Sequence, residues 1–263
     1  MRKLIAKLMI IASLGIAGAS QAQERRSSAN RPTIVLVHGA FADSASWNGV
    51  MERLRRNGYS VIAAANPLRS LEGDARYVAA LVKSVPGQVI LVGHSYGGAV
   101  ISEAAAGATN VRGLVFVAGF APDIGDSAAS LGGRYPGGTL GQALAPPVSL
   151  PDGGRDLYIA RDKFWRQFAA DMPEVEAAKM AIGQRPVTEA ALSDVARSPS
   201  WKLLSSWFIW GARDRNIPAA AHAFMARRAN AKEAIEVRGA SHVVMTSHPT
   251  EVAALIERAA AAD

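Results

Sequence analysis

The stretch QVILVGHSYGGAVISEAAA, residues 88–106, predicts a strand, a sharp turn and a helix in immediate succession. Its first half is an unbroken apolar run, which is typical of a strand buried on both faces of a parallel sheet. Its second half is rich in alanine and has a helical pattern. Ser95 lies at the turn between them, so the G-x-S-x-G sequence around it predicts a nucleophile elbow.

Strand and helix patterns alternate on both sides of this stretch, which predicts an α/β fold. Strands are expected at Thr33–Val37, Ser60–Ala65, Gln88–Val92, Val111–Val117, Ser206–Trp210 and Ala234–Val237. Helices are expected at Ser46–Asn57, Gly73–Ser84, from the elbow to about Gly107, Ala219–Ala229 and Pro249–Ala262. The pattern predicts a mainly parallel sheet of about six strands flanked by helices.

The alternation is interrupted between Pro122 and about Trp201. Residues 121–154 contain many Gly, Pro and Ser residues without sustained periodicity, which indicates loops. Helical patterns return between Arg161 and Leu192. We interpret residues 122–201 as a helical and loop cap laid over the sheet, inside a single domain that spans residues 32–262.

The first 22 residues have the organisation of a secretory signal peptide. Three basic residues precede the apolar run Leu8–Ala19, and small residues at Ser20 and Ala22 suit a cleavage site before Gln23. The apolar run is shorter than the ~20 residues that span a bilayer. We therefore expect an exported, periplasmic or secreted protein without stable membrane insertion after cleavage, and a flexible lead at residues 23–31.

Composition narrows the partners that the protein is expected to have. The chain has 263 residues, 49% of them hydrophobic, and no cysteine, so its core must stabilise it without disulfides. The formal charge of +7 would fall to +4 on cleavage after Ala22, and the remaining arginines are scattered. This charge pattern does not support nucleic-acid binding. We expect a small-molecule substrate, and the sequence does not indicate an oligomeric state.

Three side chains that suit nucleophilic catalysis follow predicted strands. Ser95, Asp214 and His242 occur in that order, and the carboxyl ends of parallel strands meet at one edge of a sheet. A histidine can take the serine proton during attack, while a carboxylate orients the imidazole and stabilises its charged form. The backbone N–H groups of Ala40 and Tyr96 are expected to bind the oxyanion that forms.

Other residues compete for two of these roles. Asp123 follows the fourth predicted strand and is an alternative acid, and His248 is an alternative base. His38 and His94 flank the glycines of two turns and are expected to support those loops by hydrogen bonding. His222 lies within a predicted helix, and we expect it to be structural.

Four motifs in order carry a resemblance to a known family: LVHGAF at residues 36–41, LVGHSYGGAV at 91–100, IWGARDRNIP at 209–218 and GASHVVMTSHP at 239–249. Together they resemble the α/β-hydrolase superfamily, in particular small bacterial serine esterases similar to plant methylesterases and hydroxynitrile lyases. The resemblance covers about residues 32–262. It implies a hydrolase without cofactor or metal, with Ser95, Asp214 and His242 as triad and Ala40 and Tyr96 as oxyanion donors.

We therefore expect an exported carboxylic ester hydrolase, a serine esterase that forms an acyl-enzyme with a small or medium, largely apolar ester. One alternative is carbon–carbon bond cleavage of the hydroxynitrile lyase type on the same triad. Another, from a different class, is a non-catalytic ligand-binding receptor on a hydrolase fold. The cap matches no motif, so the sequence leaves the substrate open.

Overall fold

The computed structural model describes residues 31–262. The predicted signal peptide at residues 1–22 lies outside the described residues, as does all of the predicted lead at residues 23–31 except Arg31.

Six parallel strands form the central sheet, in the order β2-β1-β3-β4-β8-β9. Three further strands form a small sheet in the cap, in the order β5-β6-β7. The strands in chain order are β1 (Thr33–Val37), β2 (Val61–Ala64), β3 (Val89–His94), β4 (Val111–Val117), β5 (Val148–Ser149), β6 (Arg155–Leu157), β7 (Val187–Thr188), β8 (Ser205–Gly211) and β9 (Glu233–Val237).

Helices flank the central sheet and make up much of the cap. Those between residues 31 and 262 are α1 (Asn48–Arg56), α2 (Leu71–Ser84), α3 (Tyr96–Ala104), α4 (Ala128–Gly132), α5 (Leu140–Ala143), α6 (Arg161–Phe168), α7 (Glu174–Gly183), α8 (Glu189–Ser193), α9 (Ala219–Arg228), α10 (Val244–Ser247) and α11 (Pro249–Ala261). Short 3-10 turns lie at Ser44–Trp47 and Ser200–Lys202. Over this part of the chain, every helix is too short or too polar to cross a membrane.

The predicted fold class is confirmed, and every predicted strand of the central sheet forms within two residues of its expected bounds. The largest difference at a strand end is in β3, which continues to His94, whereas the sequence predicted an end at Val92. The register explains this difference, because Gly93 and His94 pair with Phe116 and Val117 of β4. His94 therefore belongs to the strand, and the elbow is a single residue, Ser95, between β3 and α3.

The core lies on both faces of β3 and β4, the two central strands. All six residues of β3 are buried. Phe116 of β4 and Phe208 of β8 stack with ring centroids 4.5 Å apart and an interplanar angle of 17°. This packing holds the ends of neighbouring strands in a common register, which determines where the loops after them emerge.

The cap differs from the sequence prediction because it contains β-structure. β5 pairs with β6 and β6 with β7, all antiparallel. Each of these strands has only two or three residues, too few for an alternating pattern to be recognised in the sequence. The description of the cap as helices and loops was therefore incomplete.

Polar contacts attach the cap to the body near the start of α2 and after β1. Arg69 forms an ion pair with Asp156 of β6 at 2.7 Å, and its carbonyl oxygen accepts the Thr188 hydroxyl at 2.6 Å. The Leu71 N–H donates to a carboxylate oxygen of Asp194, just beyond α8. The backbone N–H of Phe41 donates to the Arg185 carbonyl at 3.0 Å. The cap is thus joined to the body at more than one point.

We expect Gly211→Ala to destabilise the fold by about 1–3 kcal/mol, because overpacking a tight backbone contact forces the chain to shift. Gly211 ends β8, and a Cβ there would overlap the carbonyl oxygens of Ala240 and Ser241. Urea unfolding followed by circular dichroism measures the change. Gly183→Ala is the matched control, because a Cβ at that position in α7 meets no atom within 4 Å. Equal stability of the two variants would contradict this account of the contact between the end of β8 and the loop after β9.

Candidate active site

Ser95 occupies a strained backbone conformation at the end of β3, with φ 52° and ψ −123°. Few non-glycine residues adopt positive φ, and such strain costs about 1–3 kcal/mol unless its surroundings enforce it. Two glycines that follow allow the required close approach. A Cβ on Gly97 would overlap the Val37 carbonyl, and one on Gly98 would overlap the Phe120 carbonyl. The start of α3 therefore packs directly against neighbouring strand ends, and the serine is held at the turn.

The carboxylate of Asp214, in the loop after β8, is buried and accepts several hydrogen bonds. Its Oδ1 accepts the backbone N–H groups of Asn216 at 2.8 Å and Ile217 at 3.0 Å. Its Oδ2 lies 2.6 Å from Nδ1 of His242. Burial alone would raise the pKa of Asp214, but the neighbouring His242 and His222 lower it far below the ordinary range of an aspartate. The carboxylate is therefore ionised at neutral pH.

A second imidazole contacts the same carboxylate oxygen. Nε2 of His222, on α9, lies 3.2 Å from Oδ2 of Asp214. Its ring stacks on Trp210, with centroids 5.7 Å apart and an interplanar angle of 18°. The sequence placed His222 correctly on a helix but did not indicate this contact. It forms because the turn after Asp214 leads directly into α9, a geometry that residue spacing alone does not reveal.

His242 follows β9 and is held by aromatic neighbours as well as by Asp214. Its ring centroid lies 5.1 Å from that of Phe168 and 4.8 Å from that of His94. Nε2 of His94 is 3.2 Å from the backbone carbonyl of His242. Burial is the main cause that lowers the pKa of His94 well below the usual value for histidine, so this ring is a neutral donor to the carbonyl. These contacts orient the His242 imidazole.

One cavity of about 330 Å³ contains both Ser95 and His242 in its wall. Among the described residues, the polar side chains that line it belong to Ser95, Asn216 and His242. The rest of the lining is apolar or glycine, and consists of Ala40, Phe41, Phe120, Ala128, Ala129, Gly132, Gly133, Gly138, Leu140, Gly141, Leu144, Phe168, Leu192 and Ile217. The cavity therefore suits an uncharged, largely apolar ligand. No hydrogen bond joins the Ser95 hydroxyl to His242 in the described structure, although catalytic contacts of this kind commonly tighten when substrate binds.

Within the described part of the chain, the backbone N–H groups of Ala40 and Tyr96, the two predicted oxyanion donors, have no backbone partner that would occupy them. Tyr96 is the first residue of α3, so its N–H has no partner within the helix. Ala40 also lines the cavity, and over residues 31–262 its N–H pairs with no backbone carbonyl. By contrast, the N–H of the next residue, Phe41, is already bound to the Arg185 carbonyl in the cap.

Comparison with known proteins identifies the family of this chain. The sequence pattern of the alpha/beta hydrolase family matches residues 34–255, which is most of the chain. The chain belongs to the α/β-hydrolase family.

Individual relatives of this α/β hydrolase include named esterases. It is 25% identical to methylesterase 7 of Arabidopsis thaliana over 86% of this chain and 95% of that protein. It is 34% identical to a carbendazim hydrolyzing esterase of Nocardioides sp. (strain SG-4G) over 49% of this chain and 55% of that protein. The crystal structure of polyneuridine aldehyde esterase superposes with a TM-score of 0.74 at 19% identity, over 87% of this chain and 99% of that one.

The structure of this α/β hydrolase places the alternative site residues elsewhere. Asp123 forms an ion pair with Lys202 at 2.5 Å. Nδ1 of His248 lies 2.9 Å from the Ser247 hydroxyl and 3.6 Å from a carboxylate oxygen of Asp171. Neither Asp123 nor His248 lines the cavity that holds Ser95. Residues 31–262 also contain no group of three or more His, Cys, Asp or Glu side chains arranged to hold a metal ion.

The side chain of Tyr96 is anchored by the buried carboxylate of Asp74, which lies on α2. Its phenol donates to Oδ2 of Asp74 at 2.9 Å, and both Asp74 oxygens accept the Arg69 N–H at 3.1 Å. Burial is the main cause that raises the pKa of Asp74, although these hydrogen bonds act in the opposite direction. Because the folded state binds the Asp74 proton more tightly than the unfolded chain does, this group contributes stability at low pH that is lost as pH rises through its folded pKa.

We expect Tyr96→Phe to lower the free energy of unfolding by about 1.5–3 kcal/mol at pH 7, because an ionised, buried carboxylate loses a donor. The loss should be smaller at pH 4, because the raised pKa of Asp74 makes its protonated fraction larger there than at pH 7. Urea unfolding at both pH values measures the difference. Tyr59→Phe, at a half-buried tyrosine that packs under Arg31, is the matched control. An equal loss at pH 4 and pH 7 would show that the hydrogen bond from the Tyr96 phenol does not stabilise the ionised form of Asp74.

Proposed function

We propose that this α/β hydrolase is a serine carboxylesterase that cleaves small or medium, largely apolar esters through an acyl-enzyme. One observation carries the proposal. Nδ1 of His242 is hydrogen-bonded to the buried Asp214 carboxylate at 2.6 Å, and the same His242 shares a cavity wall with Ser95. A base with a fixed orientation beside a serine at an elbow is the arrangement that acyl transfer requires.

In the first half of the proposed reaction, Oγ of Ser95 attacks the ester carbonyl carbon while Nε2 of His242 takes its proton. Negative charge moves to the carbonyl oxygen, where the N–H groups of Ala40 and Tyr96 stabilise it. Collapse of this intermediate breaks the ester C–O bond, and His242 returns the proton to the departing alcohol. An acyl group then remains on Ser95.

In the second half, water attacks the acyl carbonyl and gives a proton to His242. Collapse releases the carboxylic acid and returns the proton to Oγ of Ser95. Asp214 remains ionised in both halves, because its pKa lies far below neutrality, and it stabilises each imidazolium through Nδ1. No proton passes to the carboxylate.

The cavity lining supports an apolar, uncharged substrate. Apart from Ser95, Asn216 and His242, its walls consist of aliphatic, aromatic and glycine residues from both the body and the cap, so a charged acyl chain would lose its hydration without gaining an ionic partner. Relatives named as methylesterase and as carbendazim hydrolyzing esterase are consistent with ester chemistry on this fold. The cap residues of this chain define the shape of the cavity and hence its own substrate range.

The decisive experiment is an assay of p-nitrophenyl esters of increasing acyl length at pH 7–8, using residues 23–263. We expect turnover with an initial burst, and Ser95→Ala should lower kcat by about a millionfold, to the background rate. Asp214→Asn should lower kcat by about ten-thousandfold, because the imidazole then adopts the wrong tautomer. Ser102→Ala is the matched control, since Ser102 is a buried serine on α3, the helix that follows Ser95, and does not line the cavity.

Other outcomes of the same experiment would contradict the proposal. If no acyl length gives turnover that depends on Ser95, the chain is not a serine esterase. Ser95-dependent release of cyanide from mandelonitrile without ester hydrolysis would identify a hydroxynitrile lyase. Tight binding of an ester that is unchanged in Ser95→Ala, together with negligible turnover, would identify a receptor.

Export is a separate part of the proposal and rests on the sequence of residues 1–22. We expect expression of the full chain in a bacterial host to yield a protein outside the cytoplasm whose N-terminus is Gln23. Cell fractionation and N-terminal sequencing test this. Replacing Leu8 and Ile11 with Arg should retain the protein inside the cell, because it interrupts the apolar run. An uncleaved N-terminus in the cytoplasmic fraction of the unaltered chain would contradict export.

A further inference from the structure

We infer that His222 is a positioning residue for the reaction: as a neutral donor, its Nε2–H holds the Asp214 carboxylate in the orientation that His242 needs. The inference rests on the proposed function, since it assigns a part in the same acyl-transfer site. It concerns a residue that the catalytic steps above do not use. His222 does not line the cavity, so it acts through Asp214 and not on the substrate.

The protonation state of His222 follows from its hydrogen bonds. An ionised carboxylate is only an acceptor, so both imidazole nitrogens at Oδ2 of Asp214, from His242 and His222, must donate. His222 therefore carries its proton on Nε2. Its Nδ1 is buried and has no hydrogen-bond partner in the described structure. A second proton there would create a buried N–H without an acceptor, so the ring stays neutral.

The position of the His222 ring is determined by the sheet. It stacks on Trp210 of β8, and the Trp210 indole N–H in turn donates to a carboxylate oxygen of Glu236 on β9 at 3.1 Å. Only 1% of the His222 surface is exposed. Packing thus places its Nε2–H at the carboxylate before any substrate binds, which is the condition for positioning without reorganisation.

The charges around His222 explain why a neutral donor is useful at this position. The groups that face it are Asp214, His242 and Glu236, and the His94 ring contacts that of His242. Burial is the main cause that lowers the pKa of His222, and it outweighs the opposing effect of the Asp214 carboxylate. When His242 becomes an imidazolium, the single negative charge of Asp214 balances that one cation. A charged His222 would compete for the same carboxylate.

Removing the donor should have two separable effects. The carboxylate can rotate when Oδ2 has one partner fewer, so kcat falls while KM stays the same. The negative charge on Oδ2 is also less neutralised, so the charged form of the catalytic imidazole becomes more stable. The acidic limb of the pH profile of kcat/KM then moves to higher pH. A purely structural role for His222 would change the free energy of unfolding without moving this limb.

The test compares His222→Gln, His222→Asn and His222→Leu in residues 23–263 of the protein. The amide nitrogen of glutamine reaches about the position of Nε2, whereas that of asparagine falls one methylene short. We expect Gln to keep kcat within about threefold of the unaltered protein. Asn and Leu should lower kcat by about tenfold to a hundredfold, the value of a hydrogen bond to a charged group, and move the acidic limb upward. KM should be unchanged in all three.

Phe208→Leu is the matched control, because it also alters aromatic packing on β8, but Phe208 stacks on Phe116 and not on His222. It should lower the midpoint of thermal unfolding without moving the acidic limb. The inference is overturned if Gln behaves like Leu, or if Asn and Leu lower only the thermal midpoint. It is also overturned if Phe208→Leu moves the limb as far as His222→Leu does.

A second measurement does not depend on turnover or on variants that fold poorly. Nitrogen-15 NMR of the unaltered protein, with the His222 signals identified by their loss in His222→Gln, reports its tautomer directly. We expect a neutral ring protonated at Nε2 at pH 7 and pH 8. A ring protonated at Nδ1, or a cationic ring at pH 7, would overturn the inference. If no ester is turned over but this tautomer is found, the proposed function fails while the contact with Asp214 stands.

Discussion

The buried carboxylate of Asp214 is the interaction on which the rest of the site depends. Removing an ionised carboxylate from water costs several kcal/mol unless its oxygens find donors. Here two backbone N–H groups and two imidazoles supply them, and they come from the loop after β8, the exit of β9 and α9. The charge is therefore tolerated only when these three parts of the chain are assembled. This requirement links the folding of the C-terminal region to the orientation of His242.

Close backbone approach is the second constraint, and it acts on the nucleophile. The positive φ of Ser95 is maintained because α3 packs against the strand ends without intervening Cβ atoms and because Tyr96 is tied to Asp74. The elbow and the acid thus have opposite requirements. The first needs the absence of side-chain volume, while the second needs a high density of hydrogen-bond donors. Parallel strands that end at one edge allow both requirements to be met within one site.

Body and cap make different contributions to this site. The body supplies Ser95, Asp214 and His242, together with the backbone N–H groups of Ala40 and Tyr96 that we propose as oxyanion donors. Most of the apolar and glycine lining comes from the cap. The small sheet β5-β6-β7 and the contacts of Arg69 connect the cap to the body. The same chemistry can accordingly serve different substrates when the cap changes.

The sequence by itself determined the fold class and the succession of central strands and helices along the chain. It also determined Ser95, Asp214 and His242 as the candidate triad. Apolar runs and glycine-flanked turns are local signals, so they can be recognised in one dimension. The tertiary structure alone decided that Asp214 rather than Asp123 contacts His242, that His222 shares the same carboxylate oxygen, and that the cap contains a sheet. These features depend on side chains that are distant in sequence or on strands of two or three residues, and the hydrogen bonds that create them form only when the strand ends are brought together.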